Sequence, residues 1–135
     1  MQLATAVDNT PWVCNVYYVS AAQKLYWLSF PQRRHSQEIA VNARAAATVM
    51  IKPTRPVIGV QVEGMATIVS DPPTVQSVMR LYVEKYGEGD TFYSKFIEGS
   101  NKHALYCLEP ISLVLFDEVH FPDDGRQVVP ASTVV

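Results

Sequence analysis

The chain has 135 residues, 48% of them hydrophobic, a length and an apolar share that suit one domain with its own core. A net charge of -2 and a pI near 5.9, with basic residues gathered only at 33–35 and 52–55, argue against a nucleic-acid binder. The two cysteines, Cys14 and Cys107, lie inside apolar runs without C-x-x-C or Cys/His ligand spacing, so neither a disulfide framework nor a zinc site is expected. No apolar run approaches the roughly 20 residues of a membrane helix, and the N-terminus lacks a basic flank followed by an apolar stretch. The expectation is a cytoplasmic protein in a reducing compartment, with no membrane partner.

In chain order, Leu3 to Val7 reads as a strand and Asp8-Asn9-Thr10-Pro11 as a turn. Trp12 to Val19 reads as a second strand with apolar side chains on both faces, and Lys24 to Phe30 as a third after a connection at Ser20 to Gln23. Residues 3–30 then form an antiparallel meander, which excludes βαβ units. A proline turn leads into a short helix, Arg34 to Asn42, with Ile39 as its main apolar anchor. Ala45 to Ile51 is a strand of small residues, and the prolines at 53 and 56 keep the following loop out of a ladder. Val57 to Val69 is the longest strand, with Gly59 and Gly64 at expected bulges or close backbone approaches; a long bent strand of this kind is expected to close a small barrel.

Asp71-Pro72-Pro73 is a helix start, a capping carboxylate followed by residues that need no N–H in the first turn. Val75, Val78, Met79, Tyr82, Val83 and Tyr86 repeat at helical spacing until Gly87 ends the helix. Thr91 to Glu98 is a second short helix, and Ala104 to Glu109 and Ile111 to Phe121 are the last strands, divided by Pro110. Asp123-Asp124-Gly125 closes a domain at 1–125, and the tail 126–135 is expected to fray or reach a partner. Strand runs interrupted by helices fit an α+β, mainly β fold: an antiparallel Greek-key barrel with short helices outside it.

Chemistry concentrates in LYWLSFPQRRHSQEI, residues 25–39, where a strand ends beside a helix start carrying Arg33, Arg34 and His35. Free backbone N–H groups and guanidinium forks together make a phosphate seat. The competing reading is a solvated basic turn. His103 and His120 have no metal-ligand partner at usable spacing and no metal is expected; the strand-interior cysteines read as inert packing. Most of the aromatic residues read as core or interface side chains, Tyr17 excepted.

LATAVDNTPWVCNVYYV, KLYWLSFPQRRHSQEIAVNARAAATVMI and GVQVEGMATIV resemble, in order and spacing, the pyridoxamine 5'-phosphate oxidase-like family of FMN-binding split-barrel proteins, over roughly residues 3–70. The resemblance implies an antiparallel split β-barrel that forms two-fold dimers with FMN at the interface. Carried onto this chain, it places Asn15, Val16 and Tyr17 beside the flavin, Leu28 and Ser29 as backbone contacts, and Arg34 and His35, next to Arg33, at the phosphate. His35 stands where the family has a lysine, and Val13 and Tyr18 stand where the oxidase carries charged groups. Gly59 replaces a flavin-contacting glutamine, whose contact is expected to pass to Gln61. The segment that completes a vitamin B6 pocket is not recognisable in residues 104–135, so a vitamin B6 oxidase is not expected. Three functions stay open: an FMN-dependent oxidoreductase of unknown small-molecule substrate, a flavin or deazaflavin cofactor-binding module without its own catalysis, and a cofactor-free structural barrel.

Overall fold

The computed structural model describes residues 1–130, and residues 131–135 of the expected tail lie outside the described residues. Strand β1 (Gln2–Val7) and strand β2 (Thr10–Asn15) form a hairpin whose turn residues, Asp8 and Asn9, have φ of 51° and 58°. Asp and Asn tolerate this left-handed region, and such two-residue turns match the twist of the strands they join. Thr10 and Pro11, expected in the turn, already belong to β2, with Pro11 opposite Ala6. A proline is tolerated there because β2 is an edge strand.

The expected single strand 12–19 is two strands. Asn15 pairs with Gln2 at the end of β1, and past it the Val16 N–H donates to the Met1 carbonyl at 3.0 Å. The chain then leaves β1, and β3 (Tyr18–Ala21) pairs with β4 (Lys24–Ser29) across a second two-residue turn at Ala22 and Gln23, with φ of 45° and 62°. Apolar side chains occur on both faces of 12–19 because its two halves serve different cores. Cys14 packs toward a cluster around Leu3, Trp27 and Ile39, whereas Val19 is buried among Val78, Tyr82 and Leu105. The crossing at 16–17 is fixed by Tyr86, whose hydroxyl accepts from the Tyr18 N–H at 2.8 Å and donates to the Tyr18 carbonyl at 2.7 Å.

Helix α1 (Arg34–Val41) leads to β5 (Arg44–Lys52) and β6 (Ile58–Ile68); α2 (Pro72–Tyr86) and α3 (Asp90–Ile97) follow, then β7 (Ala104–Asp117) and β8 (Arg126–Pro130). The strand order is β2-β1-β5-β6-β7-β4-β3, with β8 on β7 and every pairing antiparallel. The two hairpins of the expected meander therefore stand at opposite ends of the sheet, joined by the covalent crossing and not by a ladder. This is a split barrel whose sheet is not closed, and β6, expected to close it, lies in its middle. The α2 cap is the one the sequence announces: the Asp71 carboxylate accepts from the Thr74 N–H at 3.1 Å and hydroxyl at 2.7 Å, and Gly87 ends the helix at φ 67°.

Pro110 does not divide β7. It faces Gly64 while Ser112 faces Glu63, so Ile111 is the extra residue of a bulge. Gly64 is required there, since a Cβ on it would lie 2.1 Å from the Glu109 carbonyl oxygen. Residues 118–121, expected as strand, form a turn under the Asp117 carboxylate, which accepts from the Val119 and His120 N–H groups at 3.1 and 3.0 Å and pairs with His120 Nδ1 at 2.7 Å. The segment from Arg126, expected to fray, pairs with β7 as far as Pro130.

Candidate functional site

The junction of β4 and α1 is where the sequence concentrates its chemistry. Arg33 caps α1 with an extended backbone, and no side chain accepts from the N–H groups of the first turn. Those groups, together with the positive end of the helix dipole, are open to an anion. The Arg33 guanidinium lies 5.8 Å from the centre of the Phe30 ring, which also stacks on His103 at 4.0 Å, and Arg33 forms no ion pair among the described residues. Arg34 is engaged on two sides: Nε donates to Glu38 Oε1 at 2.7 Å, and the guanidinium sits 4.4 Å over the Trp12 indole. The other Glu38 oxygen accepts from the buried Thr5 hydroxyl, and the bonds from Thr5 and Arg34 hold the Glu38 carboxyl below the usual carboxylate range.

His35 corrects the sequence expectation. It does not join the arginines at the surface but turns into the protein, 8% exposed, with Nε2 2.8 Å from Ser29 Oγ and Nδ1 3.4 Å from Cys14 Sγ. Burial, and then the neighbouring Arg33, push its pKa below the ordinary 6.5, with Glu38 opposing. The ring is neutral near pH 7, where a surface position beside a phosphate would have favoured its charged form. Burial and Glu38 push the Cys14 thiol up, so Cys14 is a protonated packing group, as is the buried Cys107. The signal that could have placed His35 inside is its spacing: His35, Ser36 and Ile39 fall on one helical face, and all three are buried. Trp12, Glu38 and Thr5 were missed as site residues; the Arg34–Glu38 spacing of four is legible, whereas the Trp12 contact depends on packing.

The remaining candidates lie elsewhere. Val16 packs half-buried on the core around Trp27, and Leu28 on the core beneath α2. Tyr17 is 72% exposed at the crossing, its ring 5.0 Å from Tyr86. Gln61 lines a groove of about 400 Å³ on the outer sheet face, floored by Ala4, Ala46 and Thr48 and walled by Val13, Glu63 and Val114. Asn15 lines an adjoining recess with Gln2, Thr48 and Met50. Trp12, against Arg34, and Val13, in the groove, are successive residues of β2, and successive strand residues point to opposite faces. Within one chain the arginines and the groove thus stand on opposite sides of the sheet. No trio of His, Cys, Asp or Glu that could hold a metal occurs among the described residues, and no described helix is long and apolar enough to cross a membrane.

No curated protein matches the chain. Among solved structures, a conserved hypothetical protein from Mycobacterium tuberculosis aligns with a TM-score of 0.75 at 18% identity, covering 97% of this chain and 84% of that one. A heme binding protein from Mycobacterium smegmatis aligns with a TM-score of 0.74 at 12% identity, covering 98% of this chain and 53% of that one. A FAD-binding protein from Mesorhizobium loti aligns with a TM-score of 0.62 at 19% identity, covering 83% and 80%. These likenesses are likenesses of fold. Residues 1–113 match the pyridoxamine 5'-phosphate oxidase family, which is most of the sequence, and the chain belongs to that family.

Proposed function

We propose that the chain is an FMN-binding flavoprotein, an oxidoreductase of a small molecule, that works as a homodimer. The observation that carries this reading is the β4–α1 junction, where two arginines flank a helix start whose first-turn N–H groups have no side-chain cap. Arg33, Arg34 and those N–H groups would hold the FMN phosphate. Arg34 would have to exchange Glu38 for the phosphate. Glu38 keeps the Thr5 hydroxyl when Arg34 leaves it, and the phosphate, with roughly two charges and several acceptor oxygens, offers the guanidinium the stronger bidentate partner. His35 supplies no third cationic contact, which leaves the arginines as the principal side-chain grip.

Bound FMN supplies the electron transfer, so the protein needs no nucleophile or acid–base pair of its own. The groove holding Gln61, and the recess holding Asn15, face away from the arginines of their own chain, so a second copy is what would bring such a face to the phosphate end. Exposed Val13, Met50 and Val128, at 61, 59 and 56%, favour covering that side of the sheet.

The test is titration of purified protein into FMN, followed by flavin fluorescence, beside sedimentation at micromolar concentration. Binding by a dimer is expected, with Arg33→Ala and Arg34→Ala each weakening it about 10- to 150-fold. FAD and hemin serve as competing ligands. Equal binding by all three proteins would reduce the basic cluster to a solvated turn, and a monomer without flavin binding would leave a cofactor-free barrel.

A further inference from the structure

The three residues 33–35 are consecutive, yet only two point outward. His35 joins three elements at once: it belongs to the first turn of α1, its Nε2 meets Ser29 Oγ on the last residue of β4 at 2.8 Å, and its Nδ1 meets Cys14 Sγ on β2 at 3.4 Å. Ser29 is 6% exposed and His35 8%, so both polar groups are committed to each other and shielded from water. Breaking such a bond leaves a buried group without its partner. Beside this bond, the turn is tied by the Arg33 N–H to the Phe30 carbonyl at 3.0 Å and by the Arg34 guanidinium over Trp12. No side chain caps it, the buried Ser36 hydroxyl has no hydrogen-bond partner, and the large apolar anchor, Ile39, sits a full turn further on. Arg33 and Arg34 immediately precede the pinned residue, so their backbone direction is set by it.

We infer that His35 is a positioning residue for an anion seat: it pins the first turn of α1 to β4 and β2, and so aims Arg33, Arg34 and the open N–H groups without touching the ligand. The inference rests on the phosphate seat proposed above and gives position 35 the opposite role from a direct contact. A direct contact would be improved by a lysine, whose fixed charge is the better phosphate partner. A pin would be destroyed by one, because an ammonium cannot both accept and donate between Ser29 and Cys14 and would swing out to water.

The test compares wild type with His35→Lys, His35→Gln and Ser29→Ala, read by FMN titration and by amide hydrogen exchange of α1 in the flavin-free protein. His35→Lys and Ser29→Ala are expected to weaken FMN binding about tenfold and to speed α1 exchange. His35→Gln, whose amide reaches the Ser29 hydroxyl, is expected to stay within about threefold of wild type, a rescue that loss of bulk packing does not explain. Tighter binding by His35→Lys would overturn the inference, and so would Ser29→Ala with affinity and exchange unchanged. If His35→Lys fails to fold, Ser29→Ala and His35→Gln decide the matter. If the wild type binds no FMN, the phosphate seat falls, and α1 exchange alone then decides whether His35 is a pin.

Discussion

Replacing Gly64 by alanine isolates one contact on which the sheet depends. The added Cβ would lie 2.1 Å from the Glu109 carbonyl oxygen and 2.9 Å from its carbon, about 1.3 Å inside the 3.4 Å at which ordinary contact begins. Both obstructing atoms are backbone, so relief requires β6 and β7 to part by roughly 1 Å at the bulge, which stretches the flanking ladder bonds beyond useful length. Two neutral bonds at about 1 kcal/mol each and about 1–3 kcal/mol of overpacking give a loss of roughly 3–5 kcal/mol. Against a typical total of about 5–15 kcal/mol, that is a large share of the stability. Urea unfolding followed by tryptophan emission should show the midpoint falling by roughly 2 M for a slope near 2 kcal/mol/M. Gly89→Ser is the control: nothing lies within 4 Å of a Cβ there, and serine improves the cap of α3, so the midpoint should hold or rise slightly. A Gly64→Ala midpoint within about 0.5 M of wild type at unchanged slope would refute the reasoning.

Tyr86→Phe keeps the aromatic contacts with Tyr17 and Tyr82 but strips the Tyr18 N–H of its partner and leaves the Tyr18 carbonyl to Lys85 Nζ alone, at a cost of about 1–3 kcal/mol; faster amide exchange confined to residues 16–19 would confirm it, and an unchanged pattern would count against the crossing being held there. Stability should also fall with acid in two stages. His35 and His103 are pushed below 6.5 chiefly by burial, so the unfolded chain takes up protons before the folded one does, and stability drops as pH falls beneath 6.5. Glu38, Asp71 and Asp117 are held below their ordinary 4.5, 3.8 and 3.8, so their contribution is lost on further acidification through those values. Urea midpoints at pH 7, 6 and 5 should fall with acid, and His35→Gln should reduce the slope between 6.5 and 5; a flat wild-type profile from pH 7 to 5 would contradict the burial of both histidines.

What the sequence made legible was local. Asp71-Pro72-Pro73 and Gly87 bound α2 because caps and first-turn prolines act on their own neighbours, and Gly64 announced a close backbone approach because little else explains a glycine inside a long strand. What it hid was set by partners distant in sequence. Alternation from Trp12 to Val19 runs on unbroken through the change of core, so the split between β2 and β3 appears only where β1 ends. Pro110 suggests a break when read alone, yet the bulge opposite Gly64 absorbs it. At the site, Arg33, Arg34 and His35 are equivalent in composition. The face that α1 buries separates them, and that face was written only in the spacing of His35, Ser36 and Ile39.

Strand β7 pairs with β6 from Tyr106 to Asp117, with β4 from Ala104 to Leu108 and with β8 from Ser112 to Phe116. On a ribosome this strand emerges after β1–β6 and all three helices. The hairpins and the β5–β6 pair can assemble early from near neighbours, but the β4 partner of β7 lies about eighty residues back, from Leu25 opposite Leu108 to Ser29 opposite Ala104. Until β7 arrives, β4 and β6 both present open edges, the kind that recruit strands from other chains. The slow and aggregation-exposed stage of synthesis is therefore the interval before Ala104 to Asp117 leaves the exit tunnel, and nascent chains halted there should be the ones that chaperones hold.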